Sequence, residues 1–378
     1  MSTNQFAQFA PAHIQKLVAY DPGHEPSVIA QRLGLDAVIE LGSNENSIGP
    51  CPAVKALLAN PKLLGLRYPD AGGNVLKNAL SAHYGLSPAH FTLGNGTHEL
   101  LTLIAETFCA PGDEVVYAQY GFAVYRLAAL GAGAVPIAAL SDADLNVTPA
   151  AMLAAITPRT KLVYLANPNN PTATMWTLAT LRLFLKALPK HVLFVLDEAY
   201  IEYVRNPEVL RERHGEQVGN SLSLLAEFPQ LVIARTFSKA YALASLRVGY
   251  TIAHPEFAQM LERTRLSFNV NVLALKAAAL AIADQAHIAF VRETVAQQRE
   301  FLVAGLHSLG LRVLPSECNF VLVHFAKDAS AIEQALVQQG VIVRPMRGYG
   351  LAEYLRITVG NAHENQRLLA ALEIAVNA

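Results

Sequence analysis

From about residue 74 the chain alternates between two hydrophobic periods. Over residues 75–84, 99–108, 122–129 and 177–187 apolar side chains recur every three or four positions, the spacing of a helix with one buried face. Between these lie short β-branched runs at 114–117, 161–166, 191–196, 231–234 and 248–253, each bounded by Gly, Pro, Asp or Asn. The runs are apolar throughout, as strands covered on both faces are. Strands alternating with helices predict an α/β fold with a mostly parallel sheet between helical layers.

The pattern changes after residue 255 to an Ala- and Leu-rich helical stretch reaching about residue 307. Shorter strands follow at 319–324, 341–344 and 354–359, which predicts a smaller α+β domain. Pro11, Pro22, Gly23 and Pro26 interrupt the N-terminal segment before its first good helix, so it reads as an arm. The expected organisation is residues 1–39 as arm and part of the small domain, 40–275 as the large domain and 276–378 as the small domain.

The 378 residues suffice for two or three domains with large cores. A hydrophobic share of 52% raises the membrane question, but the best uncharged run, 127–141, contains Gly131, Gly133 and Pro136 and falls short of a spanning helix. With Lys plus Arg at 29 and Asp plus Glu at 30, the chain has neither a basic surface for nucleic acid nor an acidic tail. Charged residues make up only 16%, which favours cover by a partner subunit. Cys51, Cys109 and Cys318 are too scattered for a disulfide framework or a zinc site, and no histidine pair forms a metal motif. With no secretory leader pattern, the expectation is a cytoplasmic protein without metal.

Four segments carry candidate chemistry. Asp197 ends the most apolar strand, where open α/β sheets bind ligands; it needs a cation or donor there, and a helix cap or Mg²⁺ ligand is the alternative reading. In 235-RTFSKAY-241, Lys239 follows a strand and could serve as a Schiff-base amine if neighbouring cations or burial depress its pKa, although most lysines are simply exposed. Thr236, Ser238 and Arg247 beside it suit a phosphate dianion. In 93-LGNGTHE-99 a glycine turn enters a helix and favours an anion, but Glu99 occupies the third glycine position of a dinucleotide fingerprint. Asn170 in 167-NPNNPT-172 could donate to a phenolate-type oxygen. One cofactor wants all four together: pyridoxal 5′-phosphate, with its phosphate, aldehyde, pyridine nitrogen and 3′-oxygen.

With these residues in place, the sequence resembles the fold-type-I pyridoxal-phosphate aminotransferases, and among them the histidinol-phosphate aminotransferase family. The likeness is carried over nearly the whole chain by LVAYDPG (17–23), ELGSNENSIGP (40–50), RYPDAGG (67–73), GNGTHEL (94–100), NPNNPT (167–172), DEAYIEY (197–203), RTFSKAYALASLRVGY (235–250), SFNVN (267–271), NFVLV (319–323), VIVRP (341–345) and LRITVG (355–360). It implies a seven-stranded large-domain sheet. It also implies that Lys239 holds the cofactor and moves the α-proton, that Asp197 pairs with the ring nitrogen, and that Tyr200 and Asn170 contact the 3′-oxygen. Thr236, Ser238, Arg247 and the amides of Thr97 and His98 would bind the phosphate, and Phe122, with Tyr120 as the alternative, would stack on the ring. Tyr68 would reach the neighbouring subunit's phosphate in a homodimer. Arg356, Arg344, Tyr20, Tyr68 and Asn44 would bind the substrate, and the arm would close over the site.

The implied reaction interconverts histidinol phosphate and 2-oxoglutarate with imidazole-acetol phosphate and glutamate. Aromatic amino-acid aminotransferases and a phosphothreonine decarboxylase share many of the same motifs. A cofactor-binding protein without turnover would not need both Lys239 and Asp197. The sequence departs from the family's pattern at three positions. Ala173 stands for a usual glycine, so its turn is expected to avoid a left-handed backbone; His98 stands for Asp or Asn; and Ser245 replaces a glycine near the phosphate. Tyr203, Tyr241 and Tyr250 are expected to pack rather than react, and Arg347 and Tyr349, close to Arg344, to lie on the surface by default, with the pocket mouth as the alternative.

Overall fold

The computed structural model describes residues 6–19, 23–60, 67–205 and 221–377. Among the described residues there are thirteen strands. They are β1 (Ile39–Glu40), β2 (Phe91–Gly94), β3 (Glu114–Ala118), β4 (Val135–Ala139), β5 (Thr160–Ala166), β6 (Leu193–Asp197), β7 (Leu231–Thr236), β8 (Gly249–Ile252), β9 (Arg312–Val313), β10 (Phe320–His324), β11 (Val341–Ile342), β12 (Arg344–Pro345) and β13 (Tyr354–Thr358). Seven form the large sheet in the order β2-β8-β7-β6-β5-β3-β4, parallel except for β8, which runs antiparallel to both of its neighbours. The chain thus has the expected α/β fold, with a mostly parallel seven-stranded sheet.

Two strands of this sheet escaped the hydrophobic pattern, each for a physical reason. β2 is only FTLG, buried at every position, and its last residue already belongs to the glycine turn. β4 contains Pro136, which an edge strand tolerates because one side of its ladder needs no donor. The predicted helical stretch after residue 255 is three helices, Pro255–Thr264, Val272–Ala283 and Gln285–Ser308. Asn271 and Asp284 cap the second and third by accepting from the amides of Ala274 and His287. The helix Val272–Ala283 runs through the expected boundary at residue 275 and packs on the helices Asn74–Tyr84 and Pro52–Leu58. The next helix packs on Ala362–Asn377 instead.

The expected strand 341–344 is divided at Val343. β11 pairs in parallel with β1, whereas β12 joins the antiparallel sheet β12-β13-β10-β9. That switch sets Arg344 opposite Arg356. The N-terminal segment has two short helices, Ala12–Gln15 against the helix Ala123–Gly131, and Pro26–Leu33, which buries Ile29 with Val337 and Ile342. Among the described residues, no single helix is long and apolar enough to cross a membrane.

The core on one face of the large sheet is formed by side chains such as Leu76, Leu80, Leu275 and Ala278 from the two packed helices, all fully or almost fully buried. Each such leucine contributes roughly 1.5–3 kcal/mol through burial. The sheet is therefore a rigid base, and its carboxyl edge presents β6 and β7 to one cavity.

Candidate active site

Asp197 is the last residue of β6 and is 3% exposed. Burial pushes its carboxyl up to about 6, against the hydroxyl of Tyr125, which donates to Oδ2 at 2.9 Å, and the amide of Ala199, which donates to Oδ1 at 3.2 Å. Tyr125 is one helical turn beyond Phe122, on the helix that begins at Ala123. Lys239 lies three residues past the end of β7, half-buried, with Nζ donating to the Ser43 carbonyl at 3.0 Å. Burial, and then the positive charge of Arg356, bring its amine down to about 8. A buried carboxylate and an amine with a depressed pKa thus meet at the same sheet edge.

An anion cradle lies beside them. Gly96, at φ +82°, turns the chain into the helix Thr97–Phe108 and leaves the first amides of that helix unpaired within it. A Cβ at Gly96 would come within 2.5 Å of the Arg247 guanidinium, and one at Gly249 within 2.9 Å of the Thr97 nitrogen. These two glycines let Arg247, β8 and the helix start converge. Thr236 Oγ1 and Arg247 both donate to Ser238 Oγ, at 3.0 and 3.3 Å, which leaves the serine's own hydrogen available to donate. Glu99, in the third glycine position of the failed dinucleotide fingerprint, instead accepts from the Asn95 amide and from Asn269 Nδ2, fixing the turn.

On the far side, Asn44 Nδ2 donates to Tyr200 Oη at 2.9 Å, and Arg356 donates to Asn170 Oδ1 at 2.6 Å and to the Gly42 carbonyl. Asn44, Tyr200, Asn170 and Arg356 are all buried. Burial raises the Tyr200 hydroxyl above its ordinary range, with Arg356 working against it.

A cavity of about 270 Å³ is lined by Thr97, His98, Phe122, Asn170, Asp197, Tyr200, Thr236, Ser238, Lys239, Arg247, Asn44, Arg344 and Arg356. Phe122 lines it and Tyr120 does not; the Tyr120 ring packs instead in a separate cluster around Leu145, Leu314 and Leu322. Gly42, Ser43, Phe122, Asn170, Arg344 and Arg356 are shared with a second cavity of about 1040 Å³, which Arg347 and Tyr349 also line. The turn Arg347–Tyr349 that follows β12 places both on this cavity's wall, the alternative to a plain surface position, and Arg347 stays 55% exposed there. Tyr68 lies away from this chain's own cavity, 83% exposed and stacked on Phe268 at 4.8 Å. Tyr20 falls outside the described residues.

Sequence reasoning missed Tyr125, Ser43 and the Gly42 carbonyl. For Tyr125 a signal existed in its helical spacing from Phe122; a carbonyl partner leaves no trace in residue type. Ala173 is a correction. Its φ is +61°, in the left-handed region its turn was expected to avoid. Hydrogen bonds between Ala173 N and Asn169 O and between Asn169 N and Thr174 O, both 2.8 Å, hold the turn in spite of the Cβ. Ser245 is exposed and lies outside the cavity lining. Tyr250 packs with its hydroxyl against that of Tyr84 at 2.6 Å.

An amine of lowered pKa, a buried acid and an anion cradle facing one cavity are what an enzyme needs to exchange amino groups through a phosphorylated aldehyde. The chain belongs to the class I and II aminotransferases, whose family model matches residues 36–372, and within them to the histidinol-phosphate aminotransferase family. It is 43% identical over 375 residues to histidinol-phosphate aminotransferase 2 of Pseudomonas aeruginosa, covering 98% of each chain. Identity to histidinol-phosphate aminotransferase 2 of Ralstonia nicotianae is 44% over 378 residues, covering 98% of this chain and 97% of the relative. The crystal structure of histidinol-phosphate aminotransferase from Sinorhizobium meliloti in complex with pyridoxal 5′-phosphate superposes with a TM-score of 0.86 at 31% identity, over 97% of both chains.

Proposed function

We propose that this protein is a pyridoxal-phosphate-dependent aminotransferase that interconverts histidinol phosphate and 2-oxoglutarate with imidazole-acetol phosphate and glutamate, in histidine biosynthesis. The observation that carries this reading is the convergence of Lys239, Asp197 and the cradle on one cavity next to Arg356, in a chain more than 40% identical to curated enzymes of that name.

The residues present fit the cofactor. The Thr97 and His98 amides with Thr236, Ser238 and Arg247 would hold its phosphate, and the close approach at Gly96 and Gly249 leaves room for no Cβ there. Asp197 would hold a proton on the ring nitrogen, a pairing that returns the carboxyl to its charged form. Asn170 and Tyr200 would face the 3′-oxygen, and Phe122 would cover the ring. When bound, the cofactor supplies an electron sink for the carbanion at the substrate's Cα. Lys239 would hold the aldehyde carbon and its amine would move the proton at Cα, a task suited to a group with pKa near the working pH. Arg356, with Arg344, would take the anionic end of either substrate, since a guanidinium fork accepts phosphate and carboxylate alike.

The finer assignments belong to the same reading. The protein acts as a cytoplasmic homodimer in which Tyr68 reaches the partner's cofactor phosphate. Support comes from the exposed cluster of Tyr68, Leu266 and Phe268 beside the cradle's elements and from the free thiols of Cys51, Cys109 and Cys318. Residues 40–283 make up the cofactor-binding domain, its boundary moved from residue 275 to the end of the helix that packs on Asn74–Tyr84 and Pro52–Leu58, and 284–378, with the N-terminal arm, the small domain.

The test is the visible spectrum of the cofactor-loaded protein, followed while L-histidinol phosphate, L-glutamate, L-phenylalanine and L-threonine phosphate are added separately. The reading requires that the first two shift the cofactor band at far lower concentrations than the others. Phenylalanine acting equally well would make this an aromatic aminotransferase, and threonine phosphate acting with loss of carbon dioxide a decarboxylase.

A further inference from the structure

Glu333 is a buried acid that the proposed reaction does not use. It lies on the inner face of the helix Ser330–Gln338, between Ile332 and Leu336 in the core, with its side chain only 4% exposed. Such a carboxylate persists only if cations or donors meet it. Two come from different segments of the chain: His24 Nε2 lies 2.7 Å from Oε1, and an Arg347 nitrogen 3.6 Å from Oε2. Both belong to the wall of the larger cavity, as does Glu333 itself.

The residue before His24 gives this contact a consequence. Gly23 has φ +89°, and a Cβ there would come within 2.4 Å of Arg344 Nη1, so the arm's main chain rests on that guanidinium. Arg344 in turn lies opposite Arg356 across β12 and β13. One carboxylate thus meets both the arm at His24 and the turn at Arg347 on the wall of the cavity that Arg344 and Arg356 also line.

We propose that Glu333 is a positioning residue for substrate binding: by holding His24 it keeps the arm on Arg344 and sets the anion pocket formed with Arg356. This rests on the reading of Arg344 and Arg356 as the anion site. The competing role is electrostatic, and it predicts the opposite sign. Among the described residues Glu333 and Glu40 are the acids of the cavity wall, which Arg32, Arg126, Arg344, Arg347 and Arg356 also line. If Glu333 acted only by its charge, removing it would make the cavity more positive and bind anions more tightly.

The experiment is steady-state kinetics of the holoenzyme with histidinol phosphate and 2-oxoglutarate, for wild type, Glu333→Ala, Glu333→Gln, His24→Ala and the double variant Glu333→Ala/His24→Ala. Loss of one buried, charge-assisted contact predicts KM raised about 10-fold for both substrates in Glu333→Ala and in His24→Ala, with kcat and the cofactor spectrum within about 2-fold of wild type. Glu333→Gln keeps an acceptor for His24 and should recover part of the loss, and the double variant should be no worse than either single one. A fall in KM in both Glu333 variants, additive effects in the double variant, or a loss of kcat together with cofactor would overturn the proposal. Should Glu333→Ala not fold, His24→Ala decides the question alone, because that side chain is 39% exposed on the arm. If wild type turns over another amine instead, the parent reading fails while the same KM comparison, made with that amine, still tests Glu333.

Discussion

Tyr125 donates its phenolic hydrogen to Asp197 Oδ2 across 2.9 Å, and both residues are buried. The bond favours the charged carboxylate in a place where burial alone drives it toward the neutral acid. Tyr125→Phe keeps the ring and removes the donor. A hydrogen bond to a charged group contributes about 1.5–3 kcal/mol, so kcat/KM should fall roughly 10- to 100-fold and the acidic limb of its pH profile should move upward. An unmoved acidic limb would remove Tyr125 from the site.

Asp197 also has a stability cost in the cofactor-free protein. Its pKa is raised to about 6 from an ordinary 3.8, so between these values the folded chain binds more protons than the unfolded one. Stability therefore falls as pH rises from about 4 to 6, by about 3 kcal/mol if the whole shift is realised, and stays lowered above that. Asp197→Asn should make the cofactor-free protein more stable at pH 7.5, with the advantage vanishing near pH 4. Denaturant melts of both proteins at the two pH values check this, and equal midpoints at pH 7.5 would contradict it.

How far the sequence reached follows from what each residue type can announce. Asp197 and Lys239 were legible because charge at the end of an apolar strand is costly and therefore conspicuous. Strands β5, β6 and β7 were legible because central strands buried on both faces are continuous apolar runs. β2 and β4 were not, the one too short and merged with a turn, the other an edge strand with a proline. Tyr125 was hidden because a tyrosine on a helix reads as core, and only the three-dimensional meeting of that helix with β6 gives its hydroxyl a task. Glu333 was hidden for the same reason: its partners His24 and Arg347 are distant in the chain.

Ala173 shows where residue type misled. Glycine's absence suggested that the turn would avoid the left-handed region, yet the structure keeps φ at +61° and the turn's hydrogen bonds hold it there. An alanine in that conformation costs about 1–2 kcal/mol relative to its relaxed state, offset by roughly 0.5–1 kcal/mol of entropy that a glycine would lose on folding. Ala173→Gly should thus stabilise the protein by up to about 1 kcal/mol without changing KM. A lower denaturation midpoint for the variant would show that the Cβ, which is buried, earns more from packing than the strain costs.

If Lys239 is the cofactor's lysine, as proposed, its pKa sets how the apoprotein takes the cofactor up. Only the neutral amine attacks an aldehyde, and with a pKa of about 8 in place of the ordinary 10.5 the neutral fraction at pH 7 is higher by roughly two orders of magnitude. The rate of covalent capture of pyridoxal phosphate should rise about tenfold per pH unit below pH 8 and level off above it. Because Arg356 is the charge that lowers this amine most, after burial itself, Arg356→Gln should shift the break point upward. Stopped-flow absorbance against pH measures both, and a rate still climbing steeply past pH 9 in wild type would refute the depressed pKa.

Arg356 carries the argument about substrates. It is 8% exposed, donates to Asn170 Oδ1 and the Gly42 carbonyl, and lies over the Phe320 ring at 5.5 Å, so its fork is held in one plane before any substrate arrives. On the proposed reading histidinol phosphate and glutamate would both present an anion there, and a preset guanidinium can meet either with two hydrogen bonds. Arg356→Ala should therefore lower kcat/KM for both by several kcal/mol, about 10²- to 10³-fold. Arg356→Lys keeps the charge but cannot span Asn170, Gly42 and a bidentate anion together, so it should lose about tenfold. The two half-reactions measured separately give the decisive comparison. Equal losses mean one pocket serves both anions, whereas a loss confined to histidinol phosphate would mean that glutamate's carboxylate is bound elsewhere, with Arg344 and Arg347 the next residues to replace.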